Sequence, residues 1–123
     1  MVKRILVVDD ELQLLSMLKM RLEANGYEVI TAIDGEDGLQ KARDIKPDLI
    51  VLDIIMPKMS GGEMAAALKK DDKLSKIPII FLTCLADGMV DKQSGERIGG
   101  NLFVAKPFEA EELMSTINKI LNK

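Results

Sequence analysis

The sequence contains no histidine, no tryptophan and a single cysteine among its 123 residues. The absence of histidine excludes imidazole as a general base, a nucleophile or a metal ligand within this chain. One cysteine cannot form an internal disulfide bond, which favours a reducing, cytoplasmic environment. The chain also lacks an apolar run of the roughly 20 residues needed to span a bilayer, so we expect no membrane association. Any chemistry must therefore come from carboxylates, lysines, hydroxyl groups, the thiol or the backbone.

Charged residues are numerous but nearly balanced, with 17 Lys+Arg against 20 Asp+Glu and a net charge of −3. This acid excess argues against direct nucleic-acid binding through a basic face. Domains usually contain about 100–200 residues, so we expect a single domain over residues 1–123. The first residues lead directly into a strand-like run without a small-residue cleavage site, which argues against a signal peptide.

Short apolar runs alternate with amphipathic or helix-favouring stretches along the chain, which is typical of an α/β fold. The predicted strands are Ile5–Val8, Tyr27–Ala32, Leu49–Leu52, Ile77–Leu82 and Leu102–Ala105. The first predicted helix contains Leu15, Leu18 and Leu22 and ends at Asn25-Gly26, and a short second helix contains Leu39 and Ala42 between Asp34-Gly35 and Pro47. The other predicted helices are Glu63–Lys70 and Glu109–Lys123. The glycine-rich residues 86–100 predict a short, frayed or mobile helix, since each interior glycine costs a helix about 1 kcal/mol relative to alanine. The alternation predicts a flavodoxin-like, three-layer (βα)5 fold with a five-stranded parallel sheet in the order 2-1-3-4-5.

Four of the predicted strands are followed by a reactive polar group. Asp9 and Asp10 follow the first strand, Asp53 the third, Thr83 the fourth and Lys106 the fifth. Because the carboxyl ends of parallel strands share one edge of a sheet, we expect these residues to lie close together. Three carboxylates in one site repel one another, so either their pKa values rise or a cation neutralises them. A hard divalent cation such as Mg²⁺, which prefers oxygen ligands, is the simpler of the two. A cation, a lysine and a hydroxyl group around one carboxylate are suited to phosphoryl transfer, with that carboxylate as the nucleophile.

Each of these residues also has a simpler interpretation when it is taken alone. Asp9 and Asp10 could cap the first helix, and Asp53 could be a polar strand end. Thr83 could be an ordinary β-branched strand residue, and Lys106 with the proline after it could form a turn. The occurrence of all these groups at one edge of the sheet favours the functional interpretation.

Four segments resemble the receiver domain of bacterial response regulators, the phosphoacceptors of two-component signalling. They are RILVVDDE, PDLIVLDIIMPKMSG, PIIFLT and FVAKPF, and they match in order and spacing over the whole chain. The resemblance implies that Asp53 is the phosphoacceptor, and that Asp9 and Asp10 hold Mg²⁺ or, as a substitute, Mn²⁺. It also implies that Asp53 and the backbone carbonyl of Ile55 contribute to the same metal site.

The resemblance further implies a two-state switch rather than an enzyme with an external substrate. Lys106 would pair with the phosphoryl oxygens, and the bond between Lys106 and Pro107 would be a cis peptide. Thr83 and Phe103 would be the switch residues, and the predicted fourth helix, fifth strand and fifth helix would change their surface. The implied partners are a histidine kinase or a histidine phosphotransfer protein, and a downstream effector or fused output domain. The chain would be a monomer or a weak phosphorylation-dependent dimer.

Three other functions remain alternatives at this point. A flavodoxin-type FMN carrier shares the fold, but residues 9–11 here are all acidic and would repel a phosphate group. An Mg²⁺-dependent phosphohydrolase usually places its nucleophilic aspartate after the first strand, whereas the lone carboxylate here follows the third. A receiver that only docks partners without phosphorylation would not need the complete set of acids, threonine and lysine.

Overall fold

The computed structural model describes residues 2–54, 56, 59–84, 97–98, 101–106 and 109–121. Within these residues the strands are β1 Arg4–Val8, β2 Glu28–Ala32, β3 Leu49–Asp53, β4 Ile79–Cys84, β5 Arg97–Ile98 and β6 Asn101–Lys106. The helices within the same residues are α1 Leu12–Ala24, α2 Gly35–Ile45, α3 Gly61–Lys69 and α4 Ala110–Leu121. Strands and helices alternate as predicted from β1 to β4 and again from β6 to α4, whereas residues 85–96, between β4 and β5, lie outside the described residues.

The strands form one sheet in the order β2-β1-β3-β4-β6-β5. The five long strands are parallel, and their order is the predicted 2-1-3-4-5, with β6 in the fifth place. The register places Val8 of β1 between Ala32 of β2 and Leu52 of β3. The ends of β1 and β3 are consequently neighbours in space, and the flavodoxin-like fold is confirmed.

Helices cover both faces of this sheet, and side chains alternate between the faces along each strand. Ile5 and Val7 of β1 belong to the hydrophobic cluster that includes the buried leucines of α1 and α4. Leu6 and Val8 belong to the cluster beneath α2 and α3. The fold thus has three layers and two apolar cores, with a continuous apolar sheet between them.

Helix α1 shows how the pattern of apolar residues determines a helix. Leu15, Leu18 and Leu22 recur at helical spacing and are all buried. The helix ends at Ala24, and the following turn contains Gly26 at a φ of 90°, a left-handed value that favours glycine. The predicted end of this helix at Asn25-Gly26 is therefore confirmed.

Helix α3 begins at Gly61, two residues before the predicted start at Glu63. The Ser60 hydroxyl accepts a hydrogen bond from the Glu63 backbone N–H, and the Glu63 carboxylate accepts one from the Ser60 N–H, both at 3.2 Å. This capping box satisfies two N–H groups at the helix start, which offsets the low helix propensity of the two glycines.

The predicted helix over residues 86–100 is wrong at its end. Arg97 and Ile98 form strand β5, which pairs in antiparallel fashion with the start of β6. Arg97 pairs with Leu102 and Ile98 with Asn101, so only two residues connect the paired strands. In the sequence these two residues are glycines, a pair that is typical of hairpin turns. The remainder of the predicted helix lies outside the described residues.

Candidate functional site

Three carboxylates meet at the carboxyl end of the sheet. Asp9 follows β1, Asp10 comes next, and Asp53 is the last residue of β3. One carboxylate oxygen from each residue lies within 4.8 Å of the others. Asp9 is fully buried and Asp53 is 7% exposed, whereas Asp10 is exposed to solvent. The structure thus brings together the three acids that the sequence analysis placed at this edge.

Hydrogen bonds from two directions hold Asp9 in place. Its backbone N–H donates to the carbonyl of Ala32 at 3.1 Å, which continues the pairing of β1 with β2. Its Oδ1 accepts a hydrogen bond from the Glu11 backbone N–H at 2.9 Å, just before α1 begins. Asp9 therefore contacts Glu11, the N-cap residue of α1, and its burial places it beside Asp53.

The acids fit a hard divalent cation. Two carboxylates less than 5 Å apart, when both are ionised, repel each other by about 3 kcal/mol at an effective dielectric constant of about 20. A bound cation removes this repulsion, and an all-oxygen donor set with a solvent-exposed member suits Mg²⁺, which keeps several of its waters. Asp9, Asp10 and Asp53 could therefore hold a magnesium ion between them.

The chain returns tightly against Asp53 after the loop that follows β3. The backbone N–H of Gly61 donates to the Ile54 carbonyl at 2.8 Å, and the Ile54 N–H donates to the Leu82 carbonyl at 3.2 Å. A Cβ atom at Gly61 would lie 2.1 Å from the carbonyl oxygen of Asp53. Only glycine fits there, so Gly61 fixes how α3 begins beside the acidic site. This role of Gly61 cannot be read from the sequence, since a clearance of this kind has no local pattern.

The register of the strands places Thr83 and Lys106 at the same edge. Asp53 pairs with Leu82 on β4, which places Thr83 one residue further along that strand. Thr83 pairs with Ala105, so Lys106 follows at the end of β6. The strands therefore bring Thr83 and Lys106 to the edge that carries the acids. Their functional roles stay predictions.

Three predicted assignments remain, those of Phe103, Ile55 and Pro107, and the structure describes only Phe103. Phe103 is half-buried, pairs with Phe81 across the sheet, and packs against the core beneath α2 and α3. Its predicted role as the switch aromatic stays a prediction. Ile55 and Pro107 lie outside the described residues, so the metal-binding carbonyl and the cis peptide also stay predictions.

The sequence model of the family described as "Response regulator receiver domain" matches residues 5–118 of this chain. The chain belongs to the response regulator receiver family. The matched range includes all of the acids, the threonine and the lysine discussed above. It is thus the receiver domain of a two-component response regulator.

Two curated relatives of this receiver domain differ in length. It is 42% identical to the alkaline phosphatase synthesis transcriptional regulatory protein PhoP of Bacillus subtilis, over 98% of this chain and 49% of PhoP. It is 40% identical to Protein PilH of Pseudomonas aeruginosa, over 96% of this chain and 97% of PilH. The receiver domain therefore spans about half the length of the transcriptional regulators it matches, but nearly all of PilH.

Solved structures agree with this assignment. The chemotaxis response regulator CheY4 of Vibrio cholerae superposes with a TM-score of 0.84 at 33% identity, covering 98% of this chain and 100% of CheY4. The signal receiver domain of a histidine kinase from Syntrophus aciditrophicus has a TM-score of 0.84 at 29% identity, covering 98% and 91%. In the part of the receiver domain that the structure describes, no helix is both long and apolar enough to cross a membrane.

Proposed function

We propose that this receiver domain is a signalling switch that is activated when Asp53 accepts a phosphoryl group. The observation that carries this proposal is the convergence of Asp53 with Asp9 and Asp10 at the carboxyl end of the sheet. Asp53 is the last residue of β3, and every residue of that strand is buried, so the position of Asp53 is rigid. The proposed donor is a histidine kinase, a histidine phosphotransfer protein or a small phosphodonor.

The proposed reaction is a displacement at phosphorus. A carboxylate oxygen of Asp53 forms a bond to the phosphorus atom while the bond from phosphorus to the donor's imidazole nitrogen breaks. The electron pair of that bond leaves with the imidazole, which can take up a proton from solvent. The complete absence of histidine from this chain fits such a division of roles, because the donor residue belongs to the partner.

The acids around Asp53 would make this reaction possible. A magnesium or manganese ion held by Asp9, Asp10, Asp53 and the Ile55 carbonyl would supply positive charge for the phosphoryl oxygens. Asp53 alone attacks, while the buried Asp9 is oriented by its bond from Glu11. Lys106 and Thr83 would contact the phosphoryl group only once it is attached. Such differential contacts are what shifts a population from the inactive to the active state.

The output would be a change of surface rather than turnover of an external substrate. We propose that Phe103 and the surface formed by β6 and α4, together with the segment before β5, adjust when Asp53 is modified. The recipient would be an effector protein or an output domain of the same polypeptide, as the two lengths of the relatives allow. We also propose a cytoplasmic location and a monomer or weak dimer, with no direct contact to nucleic acid or membrane.

The decisive experiment is the Asp53→Asn variant. Incubation with a small phosphodonor and Mg²⁺ should add one phosphoryl group per wild-type chain and none to Asp53→Asn, because the amide is not a nucleophile. Intact-mass spectrometry measures the addition. Full labelling of Asp53→Asn would overturn the assignment, and rapid hydrolysis of an added phosphate ester would favour a phosphohydrolase instead.

A matched control is available in Asp34, which is buried to the same degree but caps α2. Asparagine caps a helix about as well as aspartate, so Asp34→Asn should fold and be labelled like the wild type. Removal of divalent cations with a chelator should abolish labelling of both the wild type and Asp34→Asn. Labelling that persists without a divalent cation would contradict the metal's proposed part.

A further inference from the structure

The first turn of α2 meets the loop after Asp53 at a point that has no room for a side chain. A Cβ atom at Gly35 would lie 2.4 Å from the carbonyl oxygen of Met59, and 2.7 Å from its Cβ. The closest obstacle is backbone, which cannot turn aside as a flexible side chain can. Met59 precedes Ser60, the residue that caps α3, so α2 is in direct contact with the segment between Asp53 and α3.

Helix α2 is itself fixed to the end of β2 by several hydrogen bonds. The Asp34 carboxylate accepts from the Asp37 N–H at 2.8 Å, and the Asp37 carboxylate accepts from the Ile33 N–H at 3.2 Å. The ammonium group of Lys41 donates to the carbonyl of Thr31 at 2.6 Å, and lies 3.3 Å from Asp37. These bonds oppose any shift of the first turn away from Met59.

The same end of β2 leads back to the acidic site. The carbonyl of Ala32 accepts the hydrogen bond from the Asp9 backbone N–H. The first turn of α2 therefore lies between two segments that carry carboxylates. On one side it is bonded to the strand end that holds Asp9, and on the other it abuts the loop that follows Asp53.

The far side of that loop is fixed as well. Ser60 and Glu63 form the capping box of α3, and Gly61 donates to the Ile54 carbonyl at 2.8 Å. A side chain at position 35 would therefore push Met59 toward Ser60 and Gly61. Gly61 already lies against the carbonyl oxygen of Asp53, so a shift of Met59 would be passed to this carboxylate-bearing residue.

We propose that Gly35 is a positioning residue for the metal site of this receiver domain. By allowing the backbone of α2 to contact Met59 directly, Gly35 sets the position of Met59 and of the start of α3, which lies against Asp53. The inference rests on the proposed function, since it concerns the cation that would serve phosphorylation. Gly35 does not contact the reacting groups, and its effect is on how well the cation is held.

The test compares two glycine substitutions that lie close together in the fold. Gly35→Ala introduces the Cβ that has no room, whereas Gly62→Ala introduces one whose nearest neighbour is the Ser60 hydroxyl at 3.9 Å. We expect Gly35→Ala to weaken Mg²⁺ affinity about 10-fold, as disturbance of groups that orient metal ligands does elsewhere. Gly62→Ala should bind Mg²⁺ like the wild type. Both affinities are measured from amide shifts in an NMR titration with MgCl₂.

Phosphorylation kinetics separate positioning from loss of folding. At saturating Mg²⁺, the rate of labelling of Gly35→Ala by a small phosphodonor should be within about twofold of the wild-type rate, because only cation binding is impaired. Adding Met59→Ala to Gly35→Ala should not restore Mg²⁺ affinity, since the contact with the backbone oxygen remains. Equal Mg²⁺ affinities for Gly35→Ala and Gly62→Ala, or a rescue by Met59→Ala, would overturn the proposal.

Lys41 provides a second variant in case Gly35→Ala does not fold. Lys41→Met removes the bond to Thr31 and loosens the first turn of α2, so it should also weaken Mg²⁺ binding, whereas Lys19→Met on the exposed face of α1 should not. Equal affinities for the two lysine variants would overturn the proposal. The wild type distinguishes failure of this inference from failure of the proposed function. If the wild type does not bind Mg²⁺ or is not labelled at Asp53, the proposed function is wrong, and this inference, which rests on it, is wrong as well.

Discussion

The two faces of the sheet are packed in different ways. Helix α1 packs through large side chains, and Leu15, Leu18 and Leu22 are its buried residues. Helix α2 packs largely through small ones, and its buried residues include Gly35 and Gly38. A Cβ atom at Gly38 would lie 2.9 Å from a methyl group of Val8, the residue before Asp9.

This difference indicates a division of work between the two layers. Long side chains can adjust their rotamers, so the position of α1 depends on many small contacts that contribute mainly stability. Backbone that touches backbone or strand methyl groups cannot adjust in this way. The first turns of α2 and α3 therefore set where the segments next to the carboxylates lie, whereas α1 contributes mainly apolar burial.

The largest expected effect on stability lies on the α1 face. Leu18 is fully buried, so Leu18→Ala should lower the free energy of unfolding by about 3 kcal/mol, from lost burial and the cavity left behind. Mg²⁺ affinity of the folded protein should not change. Urea denaturation and the NMR titration with MgCl₂ measure the two quantities.

Met20 in the same helix is the matched control. Its side chain is 72% exposed, so Met20→Ala should change the free energy of unfolding by no more than about 0.5 kcal/mol. A clear loss of Mg²⁺ affinity in Leu18→Ala would show that α1 also sets the geometry of the acids. The conclusion that the two helical layers have different roles would then be wrong.

On the α3 side, by contrast, we expect one substitution to change both the free energy of unfolding and the Mg²⁺ affinity. Gly61→Ala places a Cβ against the Asp53 carbonyl, so it should lower the free energy of unfolding by about 1–3 kcal/mol and also weaken Mg²⁺ binding. Gly62→Ala, one residue later in the same helix, should do neither. If Gly61→Ala lost stability but bound Mg²⁺ normally, contact at the backbone of Asp53 would not be what positions the acids.

The site acids and the fold could be predicted because their signals are local. Buried runs such as Leu49–Leu52 predict strands, and parallel pairing then brings the ends of those strands to one edge. Asp9, Asp10 and Asp53 meet there as predicted. The start of α3 was missed although the sequence Ser60-Gly61-Gly62-Glu63 has the pattern of a capping box. Likewise, the glycine pair after Ile98 is a hairpin signal that the composition of residues 86–100 obscured.

The packing glycines could not have been assigned in the same way. The sequence shows that positions 35 and 61 are glycine, but the reason lies in residues distant along the chain, Met59 for Gly35 and Asp53 for Gly61. Such clearances depend on the distance at which each helix packs against the sheet, to within fractions of an ångström. The periodicity of apolar residues determines which face of a helix is buried, but not how closely the helix approaches.

The smallest expected effect tests whether α2 acts on the site only through its first turn. Lys46 ends α2 in a left-handed conformation with φ at 47°, which is unfavourable for a residue with a side chain. Lys46→Gly should raise the free energy of unfolding by about 0.5–1 kcal/mol, since relief of this strain exceeds the extra flexibility of glycine in the unfolded chain. Lys19→Gly within α1 should instead lower it by about 1 kcal/mol. Neither change should alter Mg²⁺ affinity. A change in Mg²⁺ affinity for Lys46→Gly would mean that the whole of α2, rather than its contact with Met59, positions the residues beside Asp53.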